Sequence, residues 1–211
     1  MNVLAIGAHH DDIELGCGGT IARLNREGHS TFGIILTNSE THYPIRSIHR
    51  TSTQAKDEAE KAAEVIGLKL IYLQTQHIDN GKLTYDVNLM RKIEQVIVDY
   101  NITMVFSHWR SDLNTDHEAA AKLSITAARH VPNVLMYRSN WYQPSLPFNP
   151  LFSVDISDTI NLKKEALECY VSEITNRGRA WIDSFLDYNR SSGFRIDKQY
   201  AEVFEPLKYQ L

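Results

Sequence analysis

The sequence predicts an α/β fold, a Rossmann-like three-layer sandwich built on a mostly parallel sheet, and three observations predict it. Six apolar runs of four to six residues recur along the 211-residue chain, the length of buried strands. Helical patterns separate most of them, and strand, helix, strand implies a right-handed unit with parallel strands. After the first and fourth runs the chain turns polar, with His and Asp clustered where open α/β sheets keep their chemistry.

The first run, Val3-Leu4-Ala5-Ile6, ends at Gly7 and leads into Ala8-His9-His10-Asp11-Asp12-Ile13-Glu14-Leu15-Gly16-Cys17-Gly18-Gly19-Thr20. The glycines there let the backbone pass close to the site before a helix, Thr20 to Glu27, which Gly28 stops. Ser30 to Thr37 holds the second strand, and Asn38 to His49 is a polar loop at its carboxyl end, either a substrate wall or a surface loop. Ser52 to Ile66 carries alanines at helical spacing with Gly67 as its cap, and Leu68 to Leu73 is the third strand. Asp79-Asn80-Gly81 is a turn, and Asp86 caps a helix through Leu89, Ile93, Val96 and Ile97 to Tyr100.

Ile102 to Ser107 is the fourth strand; the second polar cluster, Ser107 to His117, follows it and opens a helix, Glu118 to His130. Asn133 to Tyr137 is the fifth strand. The aromatic, Pro-rich loop Trp141 to Pro150 suits stacking on a sugar face, covering the core or a subunit contact. Phe152 to Ile156 is the sixth strand, and Ser157 or Asp158 caps a helix bearing Leu162, Ala166, Leu167 and Tyr170. Trp181, Phe185 and Leu186 continue a helical face.

Length and composition, 43% hydrophobic and 23% charged, fit one globular domain over residues 1–211, with no linker, repeat or low-complexity segment. A net charge of -4 with scattered Lys and Arg gives no footprint for nucleic acid or an anionic membrane. No apolar run is long enough to span a bilayer and the N-terminal run lacks a basic flank, so a cytoplasmic location is the default expectation. Cys17 and Cys169 make neither a disulfide framework nor a Cys-rich metal site, and Cys17 reads as a small residue packed beneath the turn. Gly7-Ala8-His9-His10-Asp11-Asp12 offers no Gly-x-Gly-x-x-Gly, and its acidic residues would repel a pyrophosphate.

His9 and Asp12, three apart in a turn, let an imidazole nitrogen and a carboxylate oxygen converge on one cation, with Asp11 pointing elsewhere. A polar turn without a ligand is the other reading of that spacing. A second His/Asp cluster at another strand end makes the pair more specific than either alone.

The stretch Ala8-His9-His10-Asp11-Asp12 with Gly18-Gly19-Thr20 resembles the signature of the zinc-dependent de-N-acetylases of the PIG-L/LmbE family, Ala-His-Pro-Asp-Asp-Glu followed by Gly-Gly-Thr. His10 stands in the Pro place and Ile13 in the Glu place. Asn114-Thr115-Asp116-His117 resembles the family's His-x-Asp-His with Asn114 for its first His. Lys163 to Glu173 resembles Lys-x-x-Ala-Leu-x-x-Tyr-x-Ser-Gln with Glu173 in the Gln place, and Ala201-Glu202-Val203-Phe204 matches Ala-Glu-x-Phe.

The resemblance, from Met1 to about Phe204, implies an LmbE-like fold, zinc held by His9, Asp12 and His117, and a fourth position open for water. It implies Asp11 as general base, and hydrolysis of an acetamide on an N-acetylhexosamine such as N-acetylglucosamine to acetate and a free amine. Asn114 would donate to the oxyanion where the family has a His, with Asp116 holding the residue at that place; alternatively His108 or His10 supplies the missing charge, or hydrolysis is lost. A catalytically silent metal- and carbohydrate-binding protein, or an amidase on a non-sugar conjugate, uses the same residues. Asp79 corresponds to an acidic residue near sugar hydroxyls or serves only its turn, and an Arg expected between Ser52 and Glu58 is absent, Gln54 being nearest. Iron, cobalt or manganese also suit such ligands, and a homo-oligomer is left open.

Overall fold

The computed structural model describes residues 1–44, 48–73, 78–143 and 145–210. In chain order its elements begin β1 (Asn2–Gly7), α1 (Asp12–Arg26), β2 (Ser30–Ile35), β3 (Thr41–Tyr43), β4 (Ile48–Arg50), α2 (Ser52–Ile66) and β5 (Lys69–Leu70). They continue with α3 (Val87–Asp99), β6 (Met104–His108), α4 (Thr115–Ala127), β7 (Asn133–Tyr137) and β8 (Phe152–Asp155). The last are α5 (Ile160–Glu168), α6 (Val171–Arg177), α7 (Ala180–Phe194) and β9 (Ala201–Lys208).

Continuous apolar runs need cover on both faces, and the sheet receives it. Its order is β5-β2-β1-β6-β7-β9-β8, with the first five strands mutually parallel and β9 antiparallel to both β7 and β8. Alternate side chains of β1 enter opposite layers: Leu4 and Ile6 pack with Ile93 and Leu123 of α3 and α4, while Val3 and Ala5 pack with Ile21 and Ala62 of α1 and α2. The three-layer, mostly parallel arrangement is the one the apolar runs predict. No helix among the described residues is long and apolar enough to cross a membrane.

The structure departs from the sequence expectations at several elements. The glycine-rich stretch is not a turn before a helix; α1 already starts at Asp12 and kinks at Cys17 (φ -145°, ψ 15°). Its glycines serve packing: a Cβ on Gly16 would lie 2.1 Å from the Tyr137 ring, and one on Gly19 2.8 Å from Ile156. Within Asn38 to His49 the segments β3 and β4 pair antiparallel as a hairpin; residues 45–47, like 74–77, 144 and 211, lie outside the described residues. The third strand shrinks to Lys69–Leu70. Helix α4 opens at Thr115 because Asn114 is its N-cap, accepting from the backbone N–H groups of Asp116 and His117. Thr159, not Ser157 or Asp158, precedes α5, and its hydroxyl donates instead to Gly19 O at 2.8 Å. Strand β9 stands unpredicted between β7 and β8, since Glu202 and Glu205 break its apolar pattern; buried Glu202 is tolerated because Lys163 Nζ lies 2.6 Å from its Oε1.

Candidate metal centre

The carboxyl ends of β1, β6 and β7 bring His9 and Asp12, His108, and Ser139 and Asn140 to one place, and the first turn of α4 adds His117. His9 Nδ1 lies 3.2 Å from His117 Nε2 and 3.4 Å from Asp12 Oδ2, and His117 Nε2 lies 3.3 Å from Asp12 Oδ1. Donors bound at about 2.0–2.1 Å around a tetrahedral ion are separated by about 3.3 Å. The three residues thus form a group that could hold a metal ion.

Their outer contacts favour the same conclusion. His9 Nε2 donates to Asp116 Oδ2 at 2.9 Å, and His117 Nδ1 donates to Asp112 Oδ2 at 3.1 Å. With those nitrogens held as donors, the inward Nδ1 of His9 and Nε2 of His117 stand 3.2 Å apart, and as neutral imidazoles they would turn both lone pairs to one cation. Burial pulls both imidazoles down, but carboxylates outweigh it: Asp116 and Asp12 hold His9 at about 9, and Asp12 and Asp112 hold His117 at about 10. Against its own burial, the His117 and His108 imidazoles keep Asp12 well below the usual carboxylate range. Asp12 is further fixed by the His9 backbone N–H and the Ser139 hydroxyl, each at 2.7 Å.

His9, Asp11, Asp12, Asn114 and His117 all line one polar cleft of about 180 Å3. Asp11, between His10 and the start of α1, sits at φ 153°, and burial together with the Asp12 and Glu173 carboxylates pushes its carboxyl up to about 8. Asn114 gives its Oδ1 to the cap of α4, so Nδ2 is the polar side-chain atom it has for the cleft.

The Asp116 carboxylate has its partners elsewhere than residue 114, which Asp116 meets through its backbone N–H. Beyond His9 it accepts from Gly81 N at 2.6 Å and Leu83 N at 2.9 Å, because the start of α4 turns its side chain to the loop behind His9. Neither His10 nor His108 supplies a charge. His10 is turned to the Ser39 hydroxyl at 2.7 Å and lowered to about 3, first by burial and then by Arg50. His108 is fully buried, stacks on His117 at 4.1 Å, accepts the Ala8 N–H at 3.0 Å, and is lowered by burial to about 4.

Several residues of the site stand outside the motifs legible in the sequence. Arg50, just before α2, lines the cleft where the Arg expected in that helix is absent; its Nη1 lies 3.1 Å from Glu173, and its Nη2 3.3 Å from Glu58 and 3.3 Å from His10 O. Asn140 donates to both oxygens of Asp112 at 2.8 Å. The signal for Ser139 and Asn140 is their place directly after the fifth strand. Trp141 packs against Phe185 and Tyr188, with ring centroids at 4.6 and 5.4 Å, so that part of the aromatic loop covers the helical layer.

Comparison with known proteins bears on this site. The family model described as GlcNAc-PI de-N-acetylase (PIG-L) matches residues 4–128. YaiS of Escherichia coli K12, an uncharacterized deacetylase, is 31% identical over 151 residues, 66% of this chain and 75% of YaiS. The diacetylchitobiose deacetylase of Thermococcus kodakarensis is 26% identical over 95% of this chain and 80% of its own length. The solved structure of GalB, a 4-carboxy-2-hydroxymuconate hydratase from Pseudomonas putida KT2440, superimposes with a TM-score of 0.81 at 19% identity, covering 100% of this chain and 97% of GalB.

Proposed function

The chain belongs to the GlcNAc-PI de-N-acetylase (PIG-L) family, and on that premise we propose that it is a zinc-dependent hydrolase, one catalytic domain over residues 1–211, that removes an N-acetyl group from an N-acetylhexosamine-containing substrate. Acetate and a free amine are the products. The likeness to a hydratase of the same fold means that the fold alone does not select this chemistry. The observation that carries the reading is the convergence of His9, Asp12 and His117 donors, each imidazole backed by a carboxylate, beside Asp11 in a polar cleft.

His9, Asp12 and His117 would hold the zinc, which would supply Lewis acidity toward an amide carbonyl and a water whose pKa is lowered to about 7. Asp11 takes the proton of the attacking water and hands it to the leaving nitrogen. Burial and the Asp12 carboxylate hold the Asp11 carboxyl at about 8, and a cation on the neighbouring ligands would favour its ionised, proton-accepting form. Asn114 Nδ2 donates a hydrogen bond to the carbonyl oxygen as negative charge develops there, a weaker donor than an imidazolium. Asp116 and Asp112 fix the tautomers of His9 and His117 so that Nδ1 and Nε2, respectively, face inward.

The test is zinc content and amine release measured together on wild type and Asp11→Asn. Near-unit zinc in both, with amine released from an N-acetylated sugar only by wild type, is the expected result. Zinc without amine release from any N-acetylated sugar would instead favour a silent binding protein.

A further inference from the structure

The metal-site cleft does not end at the ligands. Thr41, Tyr43, Tyr142, Glu173 and Arg177 line both it and an outer cavity of about 570 Å3 between the β3–β4 hairpin and α6. A ligand whose amide sits by Asp11 therefore has continuous room outward, past Tyr43 and Tyr142, which are 58% and 54% exposed.

The two arginines of this region differ in what they leave free. Arg50 is buried and spends both Nη groups on Glu173, Glu58 and His10 O. Arg177, the last residue of α6, is pinned at one atom only: its Nε pairs with Glu173 Oε2, and its guanidinium lies 5.8 Å from the Trp181 ring. Its side chain is 57% exposed, and its Nη groups have no protein partner among the described residues. The carboxyls facing it are accounted for. Glu173 has one oxygen on Arg50 and the other on Arg177, and Asp11 belongs to the inner cleft. A guanidinium held at Nε and over a ring is a pre-oriented fork for an oxyanion.

We propose that Arg177 anchors an anionic group, a phosphate or a carboxylate, on the part of the substrate remote from the acetamide, so that the substrate is an acidic rather than a neutral amino-sugar derivative. The inference rests on the reading above for the amide-bearing half of the ligand; the anion contact itself does not depend on which bond is broken.

The zinc-loaded Asp11→Asn protein, with Arg177 intact or changed to Gln or Lys, is titrated calorimetrically with N-acetylglucosamine, its 1- and 6-phosphates, and N-acetylmuramic acid. At least one acidic sugar should bind about 10-fold or more tightly than the neutral one, the phosphates and the carboxylate telling the two sources apart. Arg177→Gln should remove that preference and Arg177→Lys keep part of it, with the affinity for N-acetylglucosamine unchanged in both. Equal affinity for acidic and neutral sugars overturns the proposal, as does a preference that survives Arg177→Gln, or a loss shared equally by the neutral sugar, which marks Arg177 as mere support for Glu173. If no sugar binds, inorganic phosphate titrated into both proteins decides: weaker binding to Arg177→Gln supports the anchor, and equal binding overturns it. Amine release by wild type reads the de-N-acetylase assignment separately.

Discussion

Replacing Asp116 by Asn separates two roles for that carboxylate. The wild-type group accepts three donors: His9 Nε2 at 2.9 Å and Gly81 N at 2.6 Å on Oδ2, and Leu83 N at 2.9 Å on Oδ1. An Asn has one oxygen, so whichever way its amide turns, a backbone N–H of Gly81 or Leu83 loses its acceptor, which costs about 1–3 kcal/mol. With the oxygen toward His9 the ring keeps its tautomer but loses its anionic partner; with the amino group there, Nε2 must accept and the proton moves to Nδ1, the ligand atom. Either outcome weakens the metal. Loss of such an outer partner lowers affinity by about 10–100-fold, equivalent to about 1.4–2.7 kcal/mol. Competition with a chromophoric chelator reads the zinc Kd, and urea unfolding of the metal-free protein reads the stability loss. If Asp116 instead acted through residue 114, turnover would fall with the zinc Kd unchanged, and that result would refute the reasoning.

Two further predictions follow from the same geometry. Asn114→Asp keeps the acceptor that caps α4 but has no N–H to offer, so folding stability and zinc should hold while kcat falls by about 100-fold, and an unchanged kcat would remove Asn114 from the oxyanion role. His9 and His117, held at about 9 and 10, stabilise the metal-free protein below the unfolded imidazole value of about 6.5 and lose that contribution as the pH rises through 9 and 10. Zinc competes with those protons, so its increment in Tm should grow between pH 6.5 and 9; an increment that stays flat or shrinks counts against His9 and His117 as ligands.

What the sequence made legible was what residue type and strand ends determine together. His9, Asp12 and His117 announce themselves because side chains that bind cations follow apolar runs at a sheet's carboxyl edge. Arg50 and Arg177 carry no such mark: each is a single polar residue in a different segment, and only the folded chain brings them to the cleft, whereas Asp112, Ser139 and Asn140 follow strands but are set apart by nothing in their residue type. The start of helix α1 is not legible because a run of glycines signals conformational freedom, whereas Gly16 is small for the sake of the Tyr137 ring. Strand β9 was hidden because its membership depends on Lys163 neutralising Glu202, a contact 39 residues apart in sequence.

Asp11 shows how the chain places two adjacent carboxyls in one cleft. Asp12 occupies the first position of α1 with its oxygens turned toward His108, His117 and Ser139, while Asp11 O accepts from Leu15 N at 2.9 Å to open the helix. On the other side, His10 is locked by two hydrogen bonds to Ser39, and His9 O accepts from Asp11 N at 3.1 Å. With both flanks fixed, the residue between them absorbs the mismatch at φ 153°, ψ -20°, outside the regions open to a residue with a Cβ. Strain of that kind costs about 1–3 kcal/mol and is held only where the surroundings over-determine it. Glycine relieves it and alanine does not, so metal-free Asp11→Gly should unfold at higher urea than Asp11→Ala, by about 1 kcal/mol or more. At an unstrained position the order is the reverse, glycine being worse by about 0.5–1 kcal/mol. Alanine equal to or above glycine would mean that the turn relaxes freely, and that Asp11 is not held in the cleft by the backbone that flanks it.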